Sequence, residues 1–175
     1  SKIGADKIAE SFYCTYEAPI VTVRPFNTYG PRQSMRAVIP TIITQILTSD
    51  SIDLGNLSTT RDFTYVKDTV NGFLHAGQAK NIHGEAINLG IGEEISIGDL
   101  TQKIADLIGK EITINIDKQR LRPSKSEVMR LLSNNEIAKE KMNWSPNISL
   151  DEGLEITIDW IKEHLKLFDV GSYVY

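Results

Sequence analysis

The sequence predicts an α/β fold with largely parallel strands, on three observations. Short apolar runs alternate with amphipathic stretches along the chain, the order that sets helices between parallel strands. The apolar run Ile20-Val-Thr-Val23 ends in Arg24-Pro-Phe-Asn-Thr-Tyr-Gly-Pro-Arg32 before the next helical stretch, and open α/β sheets take ligands at such strand ends. Boxes of the Ser-x-x-Asp/Glu type begin at Ser96, Ser133 and Ser149, and each predicts a helix start.

The elements follow in order. Residues 1–17 carry Ala5, Ile8, Ala9, Phe12, Tyr13 and Tyr16 at helical spacing, and Pro19 marks the end of that helix. Residues 20–24 read as a buried strand. Pro40 stands near the start of a second helix, where a missing N–H costs little, with Ile39, Ile42, Ile43, Ile46 and Leu47 as its stripe. Short strands are expected around Ile52-Asp-Leu54 and Phe63-Thr-Tyr-Val66. A third helix follows with Val66, Val70, Phe73 and Leu74, then a strand Ala86-Ile-Asn-Leu89 ending at Gly90. The Ser96 box opens a helix closed by Gly109, the Ser133 box a short one, and the Ser149 box the last. Glu111-Ile-Thr-Ile-Asn-Ile116 alternates like a half-buried strand. Residues 117–132 form the longest irregular stretch and the most basic, and loops of this kind often carry function.

The bulk numbers exclude several classes. A chain of 175 residues is enough for one ordinary domain and should bury about 70% of its unfolded surface. Its net charge of −4 argues against non-specific binding to nucleic acid or to anionic membrane. Aromatic content of 7% without a basic aromatic stripe argues against base stacking. The single Cys14 cannot form an internal disulfide, which fits a reducing, cytoplasmic setting. No apolar run approaches the ~20 residues of a membrane-spanning helix. His75, His83 and His164 are scattered without metal-ligand spacing, so no metal is expected. The chain begins without Met, in what reads as the interior of a charged helix, so we expect a piece of a longer protein and no signal peptide.

Seven motifs fall in order: Lys2, Arg24-Pro-Phe-Asn-Thr-Tyr-Gly-Pro31, Ile39-Pro40, Arg61-Asp-Phe-Thr-Tyr-Val-Lys-Asp68, Asn88-Leu-Gly90, Arg122-Pro123 and Trp144-Ser-Pro146. Each is weak alone. Together they resemble the C-terminal half of an extended short-chain dehydrogenase/reductase acting on nucleotide sugars. Within that family the chain most resembles nucleotide-sugar 4,6-dehydratases, including those that feed legionaminic-acid-type sugar synthesis. UDP-glucuronate decarboxylases and 4-epimerases share much of the pattern.

The resemblance implies the C-terminal portion of a Rossmann-like parallel sheet plus a small α/β substrate-binding region. Residues 1–35 would end an incomplete dinucleotide-binding domain. Residues 36–175 would be mainly substrate-binding, with returning sheet elements. It implies NAD as cofactor, a nucleotide-diphosphate sugar as ligand, and a homodimeric parent. Lys2 would be the catalytic Lys of a Tyr-x-x-x-Lys pair, lowering the Tyr pKa and holding the cofactor ribose. The matching Tyr and the Gly-rich pyrophosphate loop are not in this sequence, nor are the acid and base positions of the dehydratases.

Pro25 and Phe26 resemble the positions that pack against the nicotinamide. Asn27 would contact the sugar or its phosphate; its plain alternative is an Asx-turn. Arg61 corresponds to a diphosphate grip, since its fork matches paired phosphate oxygens; the alternative is a surface pair with Asp62. Arg122 resembles a second clamp, and Arg32 reads equally as ligand-facing or solvated. Arg24 reads as a structural ion-pair partner. Asp68 reads as a helix-start carboxylate, Asn88 as a turn stabiliser, and Trp144 and Trp160 as packing. Two other classes stay open beside the enzyme: a nucleotide-sugar-binding module without activity, and a structural remnant.

Overall fold

The computed structural model describes residues 1–123 and 125–168. In chain order the elements are α1 (Lys2–Tyr16), β1 (Thr22–Pro25), β2 (Asn27–Tyr29), α2 (Val38–Thr48), β3 (Ser51–Leu54), β4 (Thr60–Arg61), β5 (Phe63–Tyr65), α3 (Val66–Gln78), β6 (Ala86–Leu89), β7 (Ile95–Ser96), α4 (Ile97–Ile108), β8 (Thr113–Ile116), β9 (Arg130–Leu131), α5 (Glu136–Met142) and α6 (Leu150–Glu163). They gather into two compact units that interleave along the chain. The first holds Ser1–Thr28, Asp62–Glu93 and Leu132–Ile148; the second holds Tyr29–Arg61, Glu94–Leu131 and the chain from Ser149 onward.

In the first unit β1 and β6 run parallel, with Thr22 opposite Ala86 and Pro25 opposite Leu89. Side chains alternate across this pair. Val21, Val23, Ile87 and Leu89 turn to one face, into a core completed by Ala138, Met142 and Trp144. Thr22, Arg24 and Ala86 turn to the other, where with Asp6, Glu10 and Tyr13 of α1 they line a groove of about 310 Å³. α3 comes close to β6 because Gly72 has no side chain: a Cβ there would stand 2.5 Å from Leu89 Cδ1.

Three expectations about this unit change. The α3 stripe of Val70, Phe73 and Leu74 is exposed, and the buried residues of that helix are Asp68, Thr69, Gly72 and Ala76. The small and polar face is the one that can approach β1 and β6 closely. Val66 begins α3 rather than ending the strand before it. Nor is Ser133 a helix cap. α5 begins at Glu136 with Asn135 before it and no side-chain cap, because the Ser133 hydroxyl is spent on Asp62.

The other helix starts match the sequence. Ser96 Oγ accepts from Asp99 N at 3.0 Å and Ser149 Oγ from Glu152 N at 3.2 Å. Gly109 closes α4 at φ 77°. Asp68 lies in the first turn of α3 as expected, and its Oδ2 also accepts from Ile148 N at 3.0 Å. Trp144 is buried and donates its indole N–H to Asp68 O at 3.1 Å. Asn88 donates to Asn134 O at 3.3 Å, and Trp160 stacks on His164 within its own helix end.

The second unit packs α2, α4 and α6 together, with Ile42, Ile43, Ile46, Leu100, Ile104 and Leu154 fully buried. β3 and β8 form a parallel pair, Ser51 opposite Thr113 and Leu54 opposite Ile116. The basic 117–132 stretch is less irregular than its sequence suggests. It holds a 3-10 turn at Lys118–Arg120 and the short strand β9, which lies parallel to β4; β7 lies antiparallel on the other side of β4. The end of the expected 36–175 region, from residue 169, lies outside the described residues.

Glu94 fastens the edge of this three-stranded sheet. Its carboxylate accepts Thr60 Oγ1 at 2.6 Å and Arg130 Nε at 2.7 Å. The Thr60 hydroxyl first, and the Arg130 guanidinium second, hold its pKa below the ordinary glutamate range. A carboxyl with a depressed folded pKa adds stability above the unfolded value and loses it as pH falls through the folded one. We expect a carbon-13 titration to place the Glu94 midpoint below that of an ordinary glutamate. A midpoint at or above the ordinary range would contradict the clamp.

Candidate functional site

The sequence-predicted residues fall in both units. Lys2, Pro25, Phe26 and Asn27 belong to the first; Arg32, Arg61 and Arg122 belong to the second.

In the first unit the relevant place is the carboxyl end of the parallel pair, where open α/β sheets bind ligands. Pro25 is the last residue of β1 and is exposed. Half-buried Phe26 donates its N–H to Leu89 O at 2.8 Å, the last rung of the pairing. Asn27 follows at the head of β2, and its Nδ2 donates to Asp62 O at 2.9 Å. That bond orients the carboxamide. Thr28 Oγ1 meets Thr69 Oγ1 at 3.0 Å behind it. Lys2 is exposed on the first turn of α1. Arg24 is structural, as expected: its NH2 donates to Asp6 Oδ2 at 2.7 Å.

Sequence reasoning missed the centre of this region, Asp62. It is fully buried, at 0% exposure. Its Oδ1 accepts Ile91 N at 3.0 Å; its Oδ2 accepts Gly92 N at 3.0 Å, Ser133 N at 3.2 Å and Ser133 Oγ at 2.5 Å. A buried carboxylate needs such donors, because an unpaired charge there would be very costly. Gly90 must be glycine for this packing: a Cβ would meet Ser133 Oγ at 2.2 Å and Asp62 Oδ2 at 2.8 Å. Asn135 Nδ2 closes the turn on Gly90 O at 2.7 Å. One signal was available in the sequence. The turn Gly90-Ile-Gly92 after a strand carries bare N–H groups that need an acceptor.

In the second unit Arg61 ends β4. Its NH1 donates to Thr60 O at 2.8 Å, and its NH2 stands 3.6 Å from Glu127 Oε1. Both side chains are mostly buried, at 15% and 13% exposure. The expected alternative, a surface pair with Asp62, is therefore overturned: Asp62 is committed to the turn donors, and Arg61 faces Glu127 instead. A 3.6 Å ion pair is longer than a charge-assisted hydrogen bond. Arg122 is exposed in the basic stretch, and Arg32 is exposed with a left-handed φ of 67°. Arg120 is tied to Asp117 at 3.2 Å. Among the described residues no helix is long and apolar enough to cross a membrane.

The parallel pair with helices packed on it belongs to a Rossmann-like sheet of the short-chain dehydrogenase/reductase kind, as in the solved structures that match the chain. The chain belongs to the NAD-dependent nucleotide-sugar epimerase/dehydratase family, its residues 1–157 matching the family model described as GDP-mannose 4,6 dehydratase. It is 32% identical over 169 residues to a UDP-glucuronate 4-epimerase of Thermodesulfobacterium geofontis, covering 95% of this chain and 50% of that protein. It is 33% identical over 164 residues to a UDP-N-acetyl-alpha-D-glucosaminuronate decarboxylase of Bacillus cytotoxicus, covering 86% of this chain and 49% of that one. Among solved structures, UDP-glucuronic acid 4-epimerase from Bacillus cereus in complex with UDP-glucuronic acid and NAD superposes with a TM-score of 0.84. That match has 32% identity and covers 93% of this chain and 51% of the other. The chain thus spans about half the length of these relatives.

Proposed function

We propose that this chain is the substrate-side half of an NAD-dependent nucleotide-sugar 4,6-dehydratase. The observation that carries the reading is Arg61, a mostly buried guanidinium with one long ion pair at the end of a strand. An incoming diphosphate would offer paired oxygens that the fork can hold bidentately, which a carboxylate at 3.6 Å does not match. Arg122 and Arg32, both exposed, supply further cationic reach. Asn27, oriented by Asp62 O, would bind the sugar or its phosphate. Holding the diphosphate tightly gives remote binding energy that fixes the hexose for reaction.

Lys2, Pro25 and Phe26 would form one wall of an NAD site. The exposed ammonium suits a ribose hydroxyl and a neighbouring phenolate, and the half-buried Phe26 ring at the end of β1 suits a flat heterocycle. NAD, when bound, would accept a hydride from sugar C4 and later return it. Lys2 would keep its partner tyrosine ionised at neutral pH.

Dehydration is the activity named in the description of the matching family model, GDP-mannose 4,6 dehydratase. A second reading, 4-epimerase or decarboxylase of a uronic-acid nucleotide, is favoured by the names of the two relatives above. Product analysis separates them. The full-length protein given nucleotide sugars should yield a product lighter by one water. An epimer of unchanged mass, or a product lighter by carbon dioxide, would establish the second reading. The 175-residue chain alone is expected to turn over none, since it carries neither the Gly-rich loop nor the tyrosine.

The parent is further proposed to be a homodimer. α1 buries none of its residues, and Ile3, Ile8, Phe12 and Tyr16 are all exposed. An apolar surface of this kind marks an interface. The isolated chain should self-associate at micromolar concentration, and a monomer in sedimentation would contradict the proposal.

A further inference from the structure

We infer that Asp62 is a positioning residue: its buried carboxylate fixes the strand end from which the Asn27 carboxamide is presented. Every group involved belongs to the first unit. The Asp62 side chain is anchored by Ile91 N, Gly92 N, Ser133 N and Ser133 Oγ, all within 3.2 Å. Its backbone oxygen is the acceptor for Asn27 Nδ2 at 2.9 Å. The carboxylate therefore holds the carbonyl, and the carbonyl holds the asparagine.

The chain's path gives this anchor its reach. The chain leaves the first unit after Thr28 and after Glu93, and re-enters it at Asp62 and at Leu132. Asn27, Gly92, Asp62 and Ser133 each lie at or next to one of those points. The Asp62 carboxylate and its backbone carbonyl together thus gather all three chain segments of the first unit beside the carboxyl ends of β1 and β6. A charge is suited to this because charge-assisted hydrogen bonds are shorter and about twice as strong as neutral ones. Turn-holding alone would need the Gly90–Gly92 donors only. The bond to Asn27 makes the cluster bear on the ligand side.

The inference rests on the reading of Asn27 as a substrate residue, and the experiment separates the two. In the 175-residue chain, Asp62→Asn and Ser133→Ala are compared with wild type by NMR. One signal is the Asn27 side-chain amide; the others are amide exchange rates at Ile91, Gly92 and Ser133. Asp62→Asn should shift and broaden the Asn27 signal and speed exchange at Ser133 by about tenfold or more, as expected when a charged acceptor is lost. Ile87 and Leu89, inside β6, should keep their protection. Ser133→Ala should move Asn27 in the same direction by less, and it decides the matter where Asp62→Asn does not fold. An Asn27 signal unmoved in the folded variants, with the turn loosened, would overturn the inference and leave Asp62 a turn residue. Titration of wild type with UDP-glucose tests the other reading. An Asn27 signal indifferent to the sugar nucleotide sinks its substrate role, while the variant spectra still judge the positioning.

Discussion

Replacing Asp62 by alanine is expected to cost the fold about 3 kcal/mol. Three backbone N–H groups and one hydroxyl lose their acceptor at once. An unmet buried donor costs about 1–3 kcal/mol. The four do not add, because they differ in access to water. Gly92 is exposed and Ile91 half-buried, so water can reach those amides after a small opening; Ser133 is only 6% exposed and has no such route. Asp62→Asn keeps one acceptor oxygen and should lose about half as much. Denaturant unfolding with near-constant slope measures both. A loss below about 0.5 kcal/mol for the alanine variant, the range of ordinary surface changes, would refute the account of this cluster.

Arg61→Ala in the full-length protein should weaken nucleotide-sugar binding by about 2 kcal/mol or more, roughly thirtyfold. The argument is geometric. The guanidinium is held at one end by Thr60 O and stands 3.6 Å from Glu127, so its fork is pre-oriented while its charge is only partly used. Removing it also leaves Glu127, at 13% exposure, without its cation, and that turns a favourable patch into a repulsive one for phosphate. Arg61→Lys supplies the contrast. It keeps the charge but not the bidentate fork, so it should recover only part of the affinity. Calorimetry with UDP-glucose checks this, and unchanged affinity for the alanine variant would rule out the diphosphate role.

The residues that sequence reasoning placed well share a local cause. Ser96 and Ser149 cap helices because the donor they serve lies three residues on, and among the described residues nothing elsewhere competes for the hydroxyl. Ser133 shows the same pattern and behaves otherwise, since Asp62, 71 residues away, takes its hydroxyl. Long-range polar demand overrode a local motif. The stripe of α3 failed for a related reason. Val70, Phe73 and Leu74 are apolar at the right spacing, yet Gly72 lets the opposite, smaller face approach Leu89. Spacing shows that a face exists and not which neighbour will cover it. Arg24 and Trp144 were legible because a strand-end arginine and a tryptophan have few structural roles to choose from. Arg61 was legible as a residue but not in its partner, because Glu127 lies in the basic stretch, where periodicity carries no register.

The central claim, an NAD-dependent enzyme that works at C4 of a nucleotide sugar, is tested most directly by isotope. The full-length protein is supplied with nucleotide hexoses carrying deuterium at C4, and the products are read by NMR and mass spectrometry. The account predicts that one water is lost and that the deuterium is found at C6 of the product. Deuterium retained at an inverted C4 would move the enzyme to the epimerase reading. Deuterium left at an unchanged C4 in every sugar nucleotide, with no new product, would contradict the account.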